Sequence, residues 1–173
     1  MINEITLISQ YFPPENGAAA ERMGSFAHYL HKYCELEIVT AQPLHMMLTG
    51  SKQQSEYPFK IVRLPHKKKS SKSKYMRLMH EISFALKATK YLYQRAGRSL
   101  LLFTTPSPFL ALVALLFKKY TNRCYVLDIR DLYPEVIADV GIVSKNNPIY
   151  ILASSVMNLA YKNASLLSFV NKK

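Results

Sequence analysis

Ile5-Thr6-Leu7-Ile8-Ser9-Gln10-Tyr11-Phe12-Pro13-Pro14-Glu15-Asn16-Gly17-Ala18 is the stretch whose reading decides the fold: an apolar run, a polar loop, then the start of a helix. The run lacks clean alternation, as a strand covered on both faces of a parallel sheet does. Pro13 and Pro14 remove backbone donors and fix φ. Pairing must therefore end by Phe12, and the chain must turn out over the sheet's carboxyl edge. Asn16 is a good N-cap. The spacing of Met23, Phe26, Ala27 and Leu30 predicts a helix with one apolar stripe, leaving Glu21, Arg22, Ser25 and His28 to water. A loop that leaves the carboxyl end of a first strand and enters a helix N-terminus is where open α/β sheets bind anionic ligands.

Working outward, strand and helix keep alternating. Residues 36–40 form a second strand that ends before Gln42-Pro43. A polar loop over 43–57 is long enough to be functional or mobile. Residues 59–64 alternate, which puts a third strand nearer the sheet edge, closed by Pro65. A helix over 75–95 has a wide apolar face of Met76, Met79, Ile82, Phe84, Ala85, Leu86, Leu92 and Tyr93, best explained by packing on the sheet. Gly97 stops it. Residues 100–104 are a fully apolar fourth strand, and a helix over 108–120 starts on proline and ends on Lys118 and Lys119. Residues 124–128 make a fifth strand that delivers Asp128, Arg130 and Asp131 to the carboxyl edge. An apolar helix over 149–161 then leads into a sixth strand over 166–170.

The fold class is therefore α/β, a Rossmann-like doubly wound, mostly parallel sheet of about six strands in a single domain over 1–173. Right-handed crossovers give the order 3-2-1-4-5-6. The loops over 13–17, 104–108 and 128–135 follow strands one, four and five, neighbours at the switch point, and are expected to converge on one crevice.

With 49% apolar and 20% charged residues the chain matches globular averages, so disorder is not the default. An excess of 23 Lys and Arg over 11 Asp and Glu gives a formal charge of +12, which favours polyanionic partners without choosing among nucleic acid, an anionic membrane and phosphorylated small molecules. Cys34 and Cys124 lie far apart among apolar neighbours and read as buried thiols of a reducing compartment. Asn3 and Glu4 stand where a signal peptide carries its basic end, so no targeting segment is expected. The longest apolar run, 109–117, is too short to span a bilayer, so the expected location is cytoplasmic.

Several chemistries are excluded by pattern. The first loop has only Gly17 where a dinucleotide fingerprint needs three glycines, and no phosphate-loop signature occurs. His28, His31, His45, His66 and His80 are scattered, with no Cys/His cluster at metal-ligand spacing, so no metal or other cofactor is expected. No nucleophile elbow is present. Tyr75, Tyr91 and Tyr93 interleave with basic residues, but at helical spacing, which suits packing better than base stacking and argues against nucleic acid.

Three motifs in order carry a family likeness. Residues 9–22 (SQYFPPENGAAAER), Thr105-Pro106-Ser107-Pro108, and Asp128-Ile129-Arg130-Asp131-Leu132-Tyr133-Pro134-Glu135 resemble the amino-terminal domain of glycosyltransferase family 4, in particular the bacterial fucosaminyltransferase-like enzymes that build O-antigen and exopolysaccharide. The resemblance implies one half of a GT-B fold and metal-independent transfer, with retention, from a nucleotide-sugar donor to a lipid-linked glycan acceptor. It implies that Glu15, Asn16, Gly17 and Ala18 approach the donor sugar and diphosphate, with Gly17-Ala18 standing where a glycine pair is frequent. It puts Arg130 and Asp131 at the cleft as the catalytic candidates. Physically, Arg130 suits either a phosphate or an ion pair with Asp128, and Asp131 suits a sugar hydroxyl or the acceptor's proton. Thr105 and Ser107 either line the acceptor side or cap the next helix.

Such enzymes carry a second domain with most donor contacts. The expectation is that this chain is the acceptor-side half, inactive alone, its donor half supplied by a separate domain or chain. Lys67, Lys68, Lys69, Lys72 and Lys74, among serines and with no acid, read either as a solvated loop or as an electrostatic foot on an anionic membrane, worth about 1 kcal/mol per basic residue. The second reading makes the protein peripheral on the inner face of the plasma membrane. A rival role is that of a noncatalytic recruiting subunit paired with a donor-binding chain.

Overall fold

The computed structural model describes residues 3–43, 57–65, 74–95, 97, 99–105, 108–139, 141 and 143–169. The elements run β1 (Glu4–Ser9), α1 (Ala18–Leu30), β2 (Glu35–Ala41), β3 (Lys60–Leu64), α2 (Lys74–Gln94), β4 (Leu100–Thr105), α3 (Pro108–Thr121), β5 (Tyr125–Ile129), α4 (Glu135–Asp139), α5 (Pro148–Asn163) and β6 (Leu166–Phe169). The six strands form one parallel sheet in the order β3-β2-β1-β4-β5-β6, the Rossmann-like doubly wound arrangement that right-handed crossovers require. The alternating third strand does lie at an edge. The chain divides into two compact units, Met1–Ser99 and Leu100–Lys173.

In the first unit Leu7, Ile8, Ile38 and Val39 are fully buried, consistent with strands covered on both faces. The buried face of α1 is Ala20, Met23, Gly24 and Ala27, whereas Phe26 and Leu30 are only half-buried. The stripe is thus rotated from the expected one, because small residues let the helix come close to the first loop. A Cβ added at Gly24 would lie 2.8 Å from Pro13 Cγ. Helix α2 buries His80, Phe84, Ala85, Ala88 and Leu92 and exposes Leu78, Met79, Leu86 and Tyr93. Packing on the sheet therefore explains only part of its apolar surface, fewer residues than the sequence reading assigned to it.

Near the amino ends of these strands sits a buried acid. Glu37 lies opposite Lys60 in the β2–β3 register, and its Oε1 accepts from Tyr91 at 2.8 Å, from Lys60 at 2.9 Å and from Arg95. Arg95 also reaches Glu4 at 3.3 Å, so the end of α2 is tied to β1 and β2 by charge.

In the second unit, β5 is buried throughout, and α3, which packs on β4 and against α5, buries Leu110, Ala111, Val113, Ala114 and Phe117. The Tyr125 hydroxyl donates to the Ala160 carbonyl at 2.6 Å, and burial pushes its pKa up to about 12. Helix α5 begins as Pro at N1 predicts, and its N-cap Asn147 accepts from the Ile149 amide at 2.8 Å. The two thiols are free but not buried: Cys34 is half-buried and Cys124 exposed, because Cys124 lies in the connection that precedes β5. Among the described residues no helix is long and apolar enough to cross a membrane.

Candidate functional site

Register places a row of polar side chains at, or one step inside, the carboxyl ends of the strands. In the first unit Ser9, Thr40 and Arg63 are level across β1, β2 and β3. In the second, Thr104, Asp128 and Ser168 are level across β4, β5 and β6. Ser9, Thr40, Thr104 and Asp128 are buried, which fixes where each apolar core stops and the loops begin.

The first row holds the first loop. Each of its three side chains donates to a loop carbonyl: Ser9 Oγ to Tyr11 at 2.8 Å, Thr40 Oγ1 to Gln10 at 3.4 Å, and Arg63 Nη2 to Pro13 at 2.7 Å. The Glu15 amide closes a turn onto the Phe12 carbonyl at 3.2 Å, the Phe12 ring is buried against Tyr57 and Phe59, and the Pro13-Pro14 bond is cis. Burial lowers the pKa of Arg63 from its ordinary value, with Tyr57 and Glu15 pulling the other way. His28 meets Phe59 edge-on and His31 meets it at a tilt, with ring centroids 5.5 and 5.7 Å apart.

The loop ends at Gly17, not Asn16. Gly17 has φ 138 and ψ 150, serves as the N-cap of α1 without a side-chain cap bond, and accepts from the Glu21 amide at 3.1 Å. That φ suits glycine alone, and Asn16 stands one residue too early to cap. Asn16, Gly17 and Ala18 are exposed and Glu15 is half-buried. The result is a helix start of small residues whose N-cap, Gly17, makes no side-chain cap bond, an arrangement suited to an anion.

In the second unit Asp128 is inside β5, where Oδ1 accepts from Ser168 Oγ at 3.2 Å. Arg130 and Asp131 follow the strand directly, Arg130 half-exposed and Asp131 exposed. Among the described residues neither side chain has an ion pair or hydrogen bond. A second cis bond, Tyr133-Pro134, leads into α4, which begins at Glu135. Burial, then Glu135, raises the Tyr161 hydroxyl to a pKa of about 12.

The remaining sequence candidates fall as follows. Thr105 is the last residue of β4, and Lys74 is the first of α2. Ser107, Lys67, Lys68, Lys69 and Lys72 lie outside the described residues. Sequence reading missed Arg63 and Thr40, whose only signal is a polar residue near the end of an apolar strand. No family model matches the chain, and no curated protein matches it.

Proposed function

We propose that residues 1–173 are the acceptor-side half of a retaining, metal-independent glycosyltransferase of the GT-B, family 4 kind, moving a sugar from a nucleotide-sugar donor to a lipid-linked glycan of a cell-surface polysaccharide. The observation that supports it is the polar row. In each unit the motif residues, Glu15 to Ala18 and Arg130-Asp131, lie in the loop that follows the carboxyl end of a parallel strand, or at the helix start that ends it. In this reading the amides at the start of α1 face the donor diphosphate, Arg130 contributes a cation for phosphate oxygens, and Asp131 orients or deprotonates the acceptor hydroxyl. The donor-binding half lies outside these residues, in the same polypeptide or a separate one. Transfer of labelled sugar into lipid-linked glycan should be negligible with residues 1–173 alone and appear when a donor-binding half is supplied. Robust turnover by residues 1–173 alone, or none from the assembled pair, would refute the proposal.

A second role, membrane recruitment, is favoured by α2. Leu78, Ile82 and Leu86 recur every fourth residue, with Met79 and Tyr93 beside them, on a face turned away from the buried one. Lys90 lies beside it, and Glu81 is the helix's single acid. An apolar face edged by lysine is the composition of a helix lying in an anionic interface. Replacing Leu78, Met79 and Leu86 by serine should weaken sedimentation with phosphatidylglycerol-containing vesicles by at least about tenfold. Unchanged sedimentation would discard this contact.

A further inference from the structure

We infer that Arg63 is the positioning residue of the first loop, holding Glu15, Asn16 and Gly17 in place from two strands away. The inference rests on the reading that this loop faces the donor diphosphate and deepens it by naming what fixes the loop's conformation. Arg63 stands in the edge strand β3 and donates Nη2 to the Pro13 carbonyl at 2.7 Å. Its neighbours in the row, Thr40 and Ser9, take the Gln10 and Tyr11 carbonyls. Three consecutive strands therefore grip three of four successive loop residues, and Arg63 holds the one nearest the functional stretch. From the other side Gly24 of α1 approaches the Pro13 ring so closely that no Cβ would fit without displacement.

The arrangement is poor as a stabilising device. Among the described residues Nη1 of Arg63 is buried and has no hydrogen-bond partner, and a buried unsatisfied donor on a charged group opposes folding. An apolar side chain of similar length would remove that cost, as replacing imperfectly satisfied buried ions by apolar groups often does. What such a side chain cannot supply is the bond to the Pro13 carbonyl and the attraction to Glu15. A charge that is costly for stability and bonded to a loop backbone is better explained by control of that loop.

The test is Arg63→Met, with Arg63→Lys as the conservative variant, in the 173-residue chain, read by thermal melting and by hydrogen exchange at residues 12–18. Arg63→Met should leave the melting midpoint unchanged or raised while exchange at the Glu15 amide and its neighbours accelerates by about 10- to 100-fold, the range lost with one hydrogen bond to a charged group. Arg63→Lys should restore much of the protection. Unaltered exchange over 12–18 in Arg63→Met overturns the inference, and so does a lowered midpoint with faster exchange throughout β1, β2 and β3, which is the outcome of a purely structural role. Titration with inorganic pyrophosphate, followed by amide chemical shifts, separates the two levels. Shifts at Asn16 to Ala18 that weaken at least tenfold in Arg63→Met support both. Absence of those shifts in the unmodified chain counts against the donor-facing reading of the loop, while the exchange data still decide whether Arg63 positions it.

Discussion

Glu37→Ala is expected to lower the stability of the chain by about 2–3 kcal/mol, seen as a reduced midpoint of urea unfolding with an unchanged slope. The acid is almost fully buried, and its Oε1 takes three donors, from Tyr91, Lys60 and Arg95. Removing one member of a fully buried ion cluster costs roughly 3–5 kcal/mol because the opposite charge is stranded. Here the stranding is incomplete. The side chains of Lys60 and Arg95 are 57% and 35% exposed, so both cations can turn to water, and the cost falls below that range. The lost Tyr91 bond and the small cavity left at β2 keep it well above a surface substitution. A double-mutant cycle with Arg95→Met should return a coupling of about 1–2 kcal/mol. A loss under about 0.5 kcal/mol, or additivity within error, would show that the cluster is solvated in solution.

The same cluster shows what the amino-acid order discloses and what it withholds. A glutamate inside Leu36-Glu37-Ile38-Val39-Thr40 is visible as a charge in a buried run, and a buried charge demands a partner. Which cation answers it depends on Lys60 being level with Glu37 and on the end of α2 returning to the same spot, neither of which is a local property. Strand positions and their order were legible because prolines punctuate the chain after β1, β2 and β3 and because crossover handedness leaves few alternatives. The inward face of α2 was not. Apolar residues ring the helix, so periodicity alone could not tell that His80 and Ala88 point inward while Met79 and Leu86 point out. The cap of α1 was misassigned for a backbone reason: Asn16 has the better side chain, but only Gly17 can take a φ of 138. Among the candidate residues, Glu15 to Ala18 in the first unit and Arg130-Asp131 in the second are singled out by sequence motif alone. The row that grips the first of them is not, since Ser9, Thr40 and Arg63 are unremarkable until register makes them level.

Under the proposed function, Asp131→Asn is the substitution expected to affect transfer most, reducing turnover of the assembled pair by about 10²–10⁴-fold while changing stability by less than about 0.5 kcal/mol. The two halves of that expectation have separate physical origins. Stability should not move, because the Asp131 side chain is exposed and, among the described residues, takes part in no ion pair or hydrogen bond. Turnover should fall under the proposed role, because asparagine keeps the shape of the side chain and one acceptor oxygen but cannot take a proton, so general-base catalysis is lost and hydroxyl orientation partly kept. Arg130→Lys supplies the contrast. If Arg130 grips phosphate oxygens with two parallel donors, a single ammonium retains the charge and loses the fork, and the defect should fall on the Michaelis constant for the nucleotide-sugar more than on turnover. Asp128→Asn should behave differently from both. That carboxylate is buried and bonded to Ser168, so its loss should appear first as destabilisation of the second unit. Activity of Asp131→Asn within about threefold of the unmodified enzyme would remove Asp131 from the chemistry and leave Arg130 as the residue of this loop that still has a proposed role.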